Sequence, residues 1–314
     1  MARIAYLGPE GTFTEAALRQ ITAAGLVPDN GLGEFRSSPV ESNSAALDAV
    51  RDGAADYACV PIENSIDGSV TPTLDSLAIG SPLQVFAETT LNIAFSIVVK
   101  PGRSAGEVRT LAAFSVAAAQ VRHWVAANLP DAELRPAYSN ADAAQQVAEG
   151  HVDAAVTSPL AAERWGLAAL ADGVVDEANA RTRFLLVGRP GPPPARTGAD
   201  RTSVVLRIDN APGALLAALA EFGVRGIDLT RIESRPTRTG LGTYRFFADC
   251  VGHIDDDAVA EALKALYRRC ADVRYLGSWP TGSPAGALPP PADEAARWLT
   301  QLLDGKPDAR GAQR

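Results

Sequence analysis

"AADYACVPIENSIDGSV", residues 54–70, decides how the chain is read. Its first half carries Tyr57, Cys59 and Val60 in a short apolar run, the composition of a buried strand, and it follows a helix-like segment at 42–51. Its second half gathers Glu63, Asn64, Ser65 and Ser69 where that strand ends. Open α/β sheets collect ligands beyond the ends of their strands, so an acid, an amide and hydroxyls delivered there invite a functional reading. Ser69 and Thr71 suit the cap of a following helix. Glu63 and Asn64 then still need partners, because a buried polar group left unpaired costs roughly 2–7 kcal/mol. A structural network between lobes and a ligand network both answer that need.

Outward from this stretch the same alternation continues. "RIAYLG" reads as a strand, 14–24 as a helix and "EFRSS" as a short strand. Further on, "LNIAFSIVVK" reads as a strand, 114–127 as a helix, "ELRPAYS" as a strand, 140–149 as a helix, and "DAAVTS" and "TRFLLVG" as strands. The fold class expected is therefore α/β, with mostly parallel sheets under helices, in two lobes: about 1–78 with 171–188, and 79–170. "GRPGPPPARTGADR" cannot hold a helix or a central strand, which makes 189–201 a linker. Beyond it, 202–279 reads strand, helix (212–223, with Pro212 in its first turn), strand, strand, helix, strand. That βαββαβ order is ferredoxin-like. The Pro-rich stretch from Pro280 predicts a disordered tail over 280–314 that includes the short amphipathic piece "AARWLTQLL".

Composition removes several function classes. The 314 residues are 46% hydrophobic, enough for substantial cores, yet no apolar run approaches the roughly 18 residues of a membrane span. "MARIAYLGPEGTF" enters a strand directly, so a cytoplasmic protein without membrane association is expected. A net charge of -8 and the lack of a basic cluster with interleaved aromatics argue against nucleic-acid binding. Cys59, Cys250, Cys270 and the three histidines show no ligand spacing, and no metal is expected.

Three loops share one device. In "GPEGTFTEAA" a turn at Gly8, Pro9 and Gly11 precedes Thr12 and Glu15, a capping-box spacing whose backbone N–H groups face any anion at the helix start. Ser139 in "YSNADAA" and Ser158 in "TSPLAA" suit the same position. Capping and substrate contact are both open for each hydroxyl. In "NARTRFLLVG", Thr182 and Arg183 start a strand; the guanidinium suits bidentate binding of a carboxylate, and the hydroxyl beside it can deliver a proton.

"GPEGTFTEAA", "VPIENSIDGSV", "SNADAA", "AAVTSPLAAERWGL" and "TRFLLVG", in this order, resemble the prephenate dehydratase family over essentially the whole region before the linker. The resemblance implies a two-lobed catalytic region similar to type II periplasmic binding proteins, with the active site in the cleft. It implies a carbon–oxygen lyase of phenylalanine biosynthesis that removes CO2 and water from prephenate to give phenylpyruvate, without a cofactor. Thr182 would assist loss of the hydroxyl, Arg183 would anchor a carboxylate, and Asn64, flanked by Glu63 and Ser65, would touch the substrate. Gln120 in "FSVAAAQVR" matches a glutamine of the family, although Phe114, Ser115, Val116 and Val121 depart from its common surroundings. Two residues separate Asn179 from Thr182 where many relatives have one.

The segment 213–236 resembles the ACT regulatory domain, which implies phenylalanine binding at Gly213, Ala214, Leu215, Glu233, Ser234, Arg235 and Pro236. It also implies a homo-oligomer, dimer or tetramer, assembled through that domain. The alternative is a two-lobed small-molecule or amino-acid-binding regulatory protein without catalysis. Such a protein has no reason to keep a Thr-Arg pair and an acid-amide cluster in its first region.

Overall fold

Residues 1–28, 35–177, 179–237, 240, 242–290 and 294–305 are described by the computed structural model. Contacts divide the chain into two units, Met1–Pro190 and Gly191–Arg314. The first unit starts β1 (Ala2–Leu7), α1 (Phe13–Ala23), β2 (Phe35–Val40), α2 (Asn43–Arg51), β3 (Tyr57–Asn64), β4 (Gly68–Ser69), α3 (Thr71–Ala78) and β5 (Gln84–Asn92). It continues β6 (Phe95–Val99), β7 (Thr110–Ala113), α4 (Ser115–Gln120), α5 (Arg122–Asn128), β8 (Glu133–Pro136) and α6 (Asn140–Glu149). β9 (Ala154–Thr157), α7 (Pro159–Arg164), β10 (Ala168–Val174) and β11 (Arg181–Gly188) complete it.

Two sheets result, with orders β2-β1-β3-β11-β5 and β10-β6-β9-β7-β8, β4 adding to β3. They are versions of one plan. β1 lies parallel to β2 and β3, and β7 lies parallel to β8 and β9; β11 then closes on β3, and β6 on β9, in antiparallel fashion. The helix between the second and third strands of each plan is α2 in the first lobe and α6 in the second, so these two are equivalent. Apolar side chains fill each lobe: Ile4, Tyr6 and Leu186 from strands with Ile21 from α1 in one, Phe95, Ile97, Leu111 and Val156 in the other, all buried. Each such side chain contributes about 1.5–3 kcal/mol on burial.

The lobes meet at the β1–α1 turn. Gly11 has φ of 93°, and a Cβ there would stand 2.9 Å from Ala161 Cβ, so glycine is needed both for the conformation and for the approach of α7. Ser158 Oγ donates to Gly11 O at 2.5 Å across this seam. Arg164 of the second lobe pairs with Glu10 and Glu15 of the first.

Several sequence expectations need correction. "LNIAFSIVVK" is the end of β5 and all of β6, and the two belong to different sheets. The chain crosses between lobes at 93–94 and returns at 175–180, in place of the expected 78/79 and 170/171. The helix expected over 114–127 is broken at Val121. Asp176 enters its ladder there: the Asp176 N–H donates to Gln120 O at 2.6 Å, and its carboxylate accepts from the His123 N–H at 3.0 Å. Ser69 and Thr71 do not cap α3, whose cap position is Val70 with Pro72 in the first turn.

The second unit holds β12 (Asp200–Arg207), α8 (Ala214–Gly223), β13 (Leu229–Pro236), β14 (Tyr244–Val251), α9 (Asp257–Arg269), β15 (Asp272–Pro280) and α10 (Glu294–Leu303). Its antiparallel sheet has the order β13-β14-β12-β15, the ferredoxin-like arrangement, with Val204, Leu206, Phe222 and Leu266 buried between sheet and helices. Pro212 stands before α8, whose cap is Gly213. Within the stretch expected as a disordered tail, the Ala287 N–H donates to Asp228 at 3.1 Å and residues 294–303 are helical; 291–293 and 306–314 lie outside the described residues.

Candidate active site

β3 and β11 run side by side so that Thr182 faces Asn64 and Arg183 faces Glu63. Successive residues of a strand point to opposite faces, and this decides what each can do. Thr182 and Phe184 line a chamber of about 390 Å³ together with Asn64, whereas Arg183 does not line it. Asn64 Nδ2 donates to Thr182 Oγ1 at 2.8 Å. The carboxamide is oriented by its other end, because Asn64 Oδ1 accepts the N–H groups of Ile66 (2.8 Å) and Asp67 (2.9 Å) in the turn after β3. With its oxygen accepting from Asn64, Thr182 keeps its own proton for a group in the chamber.

Gln120 joins them. It is 5% exposed, its Nε2 donates to Asp67 Oδ2 at 3.2 Å, and its Oε1 is buried without a partner. The remaining walls are largely apolar: Phe13, Ile93, Phe95, Phe114 and Phe184, with Phe13 edge-on to Phe95 at 5.7 Å. A second chamber of about 650 Å³ shares Phe13, Thr14, Phe114 and Asn140 with the first and reaches Thr12 and Ser139.

No lysine or arginine lines either chamber among the described residues, and Asp67 is the one charged side chain lining the Thr182 chamber. Positive potential comes instead from the backbone. The first residues of α1, α2 and α6, namely Phe13, Asn43 and Asn140, all line the Thr182 chamber, so three helix N-termini converge on it. Each N-terminus carries a partial positive charge of roughly half a unit and suits a bound anion.

Other expected site residues stand elsewhere. Arg183, 6% exposed, lies 3.2 Å from Glu63 and 3.3 Å from Glu88, joining β3, β11 and β5 on the face away from Thr182. Ser65 Oγ accepts from the Arg181 N–H at 2.9 Å and donates to Asn179 O at 3.3 Å, which ties the end of β3 to the start of β11. Thr12, Ser139 and Ser158 all cap helices, accepting from Glu15, Asp142 and Ala161 respectively. Thr12 and Ser158 also donate, to Leu7 O and Gly11 O, so both use their hydroxyls locally. Glu15 reaches the Gly11 N–H at 2.5 Å, one residue short of a capping box. Burial pushes the Cys59 thiol up, far from a nucleophile's range.

Sequence reasoning missed Asn43, Asn140 and the phenylalanine walls. The signal for the asparagines is the repeated step Ser42-Asn43 and Ser139-Asn140. In the second unit, Gly213 caps α8 with φ of 77°, while Glu233 to Pro236 lie on β13, an edge strand paired only with β14 among the described residues.

The sequence pattern of prephenate dehydratase matches residues 4–192, more than half of the chain. The chain belongs to the prephenate dehydratase family. The pattern of the ACT domain matches 202–266, which identifies the second unit. Prephenate dehydratase of Mycobacterium avium is 84% identical over 314 residues, all of both chains. A prephenate dehydratase from Arthrobacter aurescens, solved in complex with L-Phe, is 40% identical, has a TM-score of 0.85, and aligns over 96% of this chain and 100% of its own. A chain described as a quorum-quenching acylase also shares the architecture: 29% identity, TM-score 0.76, 89% of this chain and 98% of that one. Architecture alone therefore leaves the chemistry to the site residues. For a prephenate dehydratase, the Thr182–Asn64 pair is the feature of this chamber to be explained. No helix among the described residues is long and apolar enough to cross a membrane.

Proposed function

We propose that the chain converts prephenate into phenylpyruvate, CO2 and water in phenylalanine biosynthesis, with Thr182 as the catalytic residue. The observation that carries this assignment is the 2.8 Å hydrogen bond from Asn64 Nδ2 to Thr182 Oγ1 inside the chamber. In the reaction the bond between the ring and its carboxylate breaks, its electron pair enters the ring, and the C–O bond on the far side of the ring breaks to give an aromatic product. Hydroxide is a poor leaving group, so a hydrogen-bond donor at that oxygen lowers the barrier. Thr182 supplies the donor, and Asn64 stabilises the charge that gathers on Thr182 Oγ1. The proton that completes water enters from solvent, and the sum is prephenate dianion plus one proton giving phenylpyruvate anion, CO2 and water.

The apolar walls favour departure of neutral CO2 over retention of an anion. Gln120 supports the site through Asp67, whose N–H helps to fix Asn64. Glu63, Arg183, Ser65, Thr12, Ser139 and Ser158 act as the frame that holds these groups in place. Purified full chain incubated with prephenate should produce phenylpyruvate and CO2 in equal amounts. Binding without product would favour the non-catalytic alternative.

The ACT domain supports effector binding and oligomerisation in general terms. The specific reading is feedback by phenylalanine at Gly213, Ala214, Leu215 and Glu233 to Pro236, in a homo-oligomer joined through these domains. Its supports are the L-Phe bound to the Arthrobacter aurescens relative and the left-handed cap at Gly213, which brings no side chain to the N–H groups at the start of α8. Phenylalanine should lower turnover, and substrate should weaken phenylalanine binding by the same factor, since the coupling is reciprocal. Calorimetry on the full chain and on Glu233→Ala tests this. Lack of heat at millimolar phenylalanine, or equal affinity in the variant, would contradict it.

A further inference from the structure

Thr14, the second residue of α1, is 4% exposed and lines both chambers. The other threonines at this helix use their hydroxyls within the protein. Thr12 caps it and donates to Leu7 O, and Thr22 donates to Leu18 O at 3.0 Å. The Thr14 hydroxyl makes no hydrogen bond among the described residues; its carbonyl meets the Cys59 thiol at 3.8 Å. Nor is that hydroxyl wholly enclosed, as the unpartnered Thr73 Oγ1 is, so its oxygen opens on to the space that the residue lines. A packing role alone would be met by valine at no polar cost, whereas a hydroxyl this far from bulk water needs a partner. A ligand in the chamber supplies one.

Its place fixes which end of the ligand it meets. Cys59, beside the Thr14 carbonyl, stands five residues before Asn64 on β3, and Pro61 and Phe184 line the chamber between them. Thr14 is therefore at the end away from the Thr182–Asn64 pair, where the two chambers join. On the activity proposed above, the ring hydroxyl lies at Thr182, and the 2-oxo acid side chain leaves the opposite ring carbon. We propose that the Thr14 hydroxyl is a substrate-binding donor to the carboxylate of that side chain, the one that survives into the product. With no lysine or arginine lining the chamber, neutral donors must meet this charge. A hydroxyl in the first turn of α1 acts in the same direction as the positive end of that helix. The departing carboxylate is not the one held, because a donor fixed on it would stabilise the ground state more than the transition state.

Thr14→Val separates this role from packing, since it exchanges the hydroxyl for a methyl group on a side chain of the same shape and similar helix propensity. The bond to a retained carboxylate serves ground state and transition state alike. KM for prephenate and the inhibition constant of phenylpyruvate should therefore rise together, by about tenfold or more, with kcat within about threefold of wild type. Thr14→Ser, which keeps the hydroxyl, should restore both constants. Benzyl methyl ketone, which has a methyl group in place of the phenylpyruvate carboxylate, should inhibit wild type and Thr14→Val equally. Unchanged KM and inhibition constant in Thr14→Val would overturn the assignment while leaving the reaction in place. Equal weakening of phenylpyruvate and the ketone, or early melting with unchanged KM, would overturn it in favour of packing. A wild-type chain inert towards prephenate would sink the underlying activity, and this role with it.

Discussion

Replacing Arg183 with methionine keeps a long apolar stem and removes the guanidinium that lies 3.3 Å from Glu88 and 3.2 Å from Glu63. Glu88 is as buried as Arg183, each with a 6% exposed side chain, while Glu63 is 37% exposed and partly screened by water. The loss should come mainly from Glu88. Breaking one partner out of a buried pair costs about 3–5 kcal/mol. For a unit of this length, each kcal/mol shifts the midpoint by about 2–4 °C, so the melting temperature should fall by about 10 °C. Pairing the change with Glu88→Gln should recover much of it, because the buried charge is then gone. Melts followed by circular dichroism, with steady-state kinetics on the folded fraction, test the assignment: KM for prephenate should stay within about threefold in both variants. A normal midpoint with a strongly raised KM would refute it and restore Arg183 as the carboxylate anchor that family resemblance implies.

Asn64→Asp preserves an acceptor for the Ile66 and Asp67 N–H groups but loses the donor to Thr182, so kcat should fall by about 10–100-fold with the midpoint little changed. An undiminished kcat would remove Asn64 from the reaction. In the second lobe, burial alone would raise the pKa of Asp153, but the N–H groups of Arg109 and Thr110, the Thr110 hydroxyl and Arg103 together hold it below the usual carboxylate range. A depressed carboxylate stabilises the fold fully above its unfolded pKa, about 3.9, and loses that contribution as pH falls through its folded value. Melts of wild type and Asp153→Asn from about pH 5 downward should therefore converge in acid; parallel curves would contradict the sign.

Much of this organisation was legible because local chemistry and burial agree. The strand ending in Asn64, the caps at Thr12, Ser139 and Ser158, and the βαββαβ order after the linker all rest on short-range signals. What failed has physical causes. An apolar run says that a segment is buried but not in which sheet, so β5 and β6 merged into one expected strand. β7 and β10 are built from small residues such as those of "TLAA" and "AALADGV", which carry little strand signal. Arg183 was misplaced for a different reason. Adjacent residues of a strand cannot share a face, so a reading that sends Thr182 to the substrate must send Arg183 and Glu63 away from it. Asn43 and Asn140 were hidden beside serines that satisfied the capping pattern.

The central claim is that the Thr182 hydroxyl acts on the departing oxygen. Thr182→Val replaces that hydroxyl by a methyl group of nearly the same size in a strand position that favours branching, so fold and chamber should survive. The account predicts a fall in kcat of about 100-fold or more, a KM within a few-fold of wild type, and recovery of most of the activity in Thr182→Ser. Near-normal kcat in Thr182→Val, measured as phenylpyruvate formed from saturating prephenate, would contradict it.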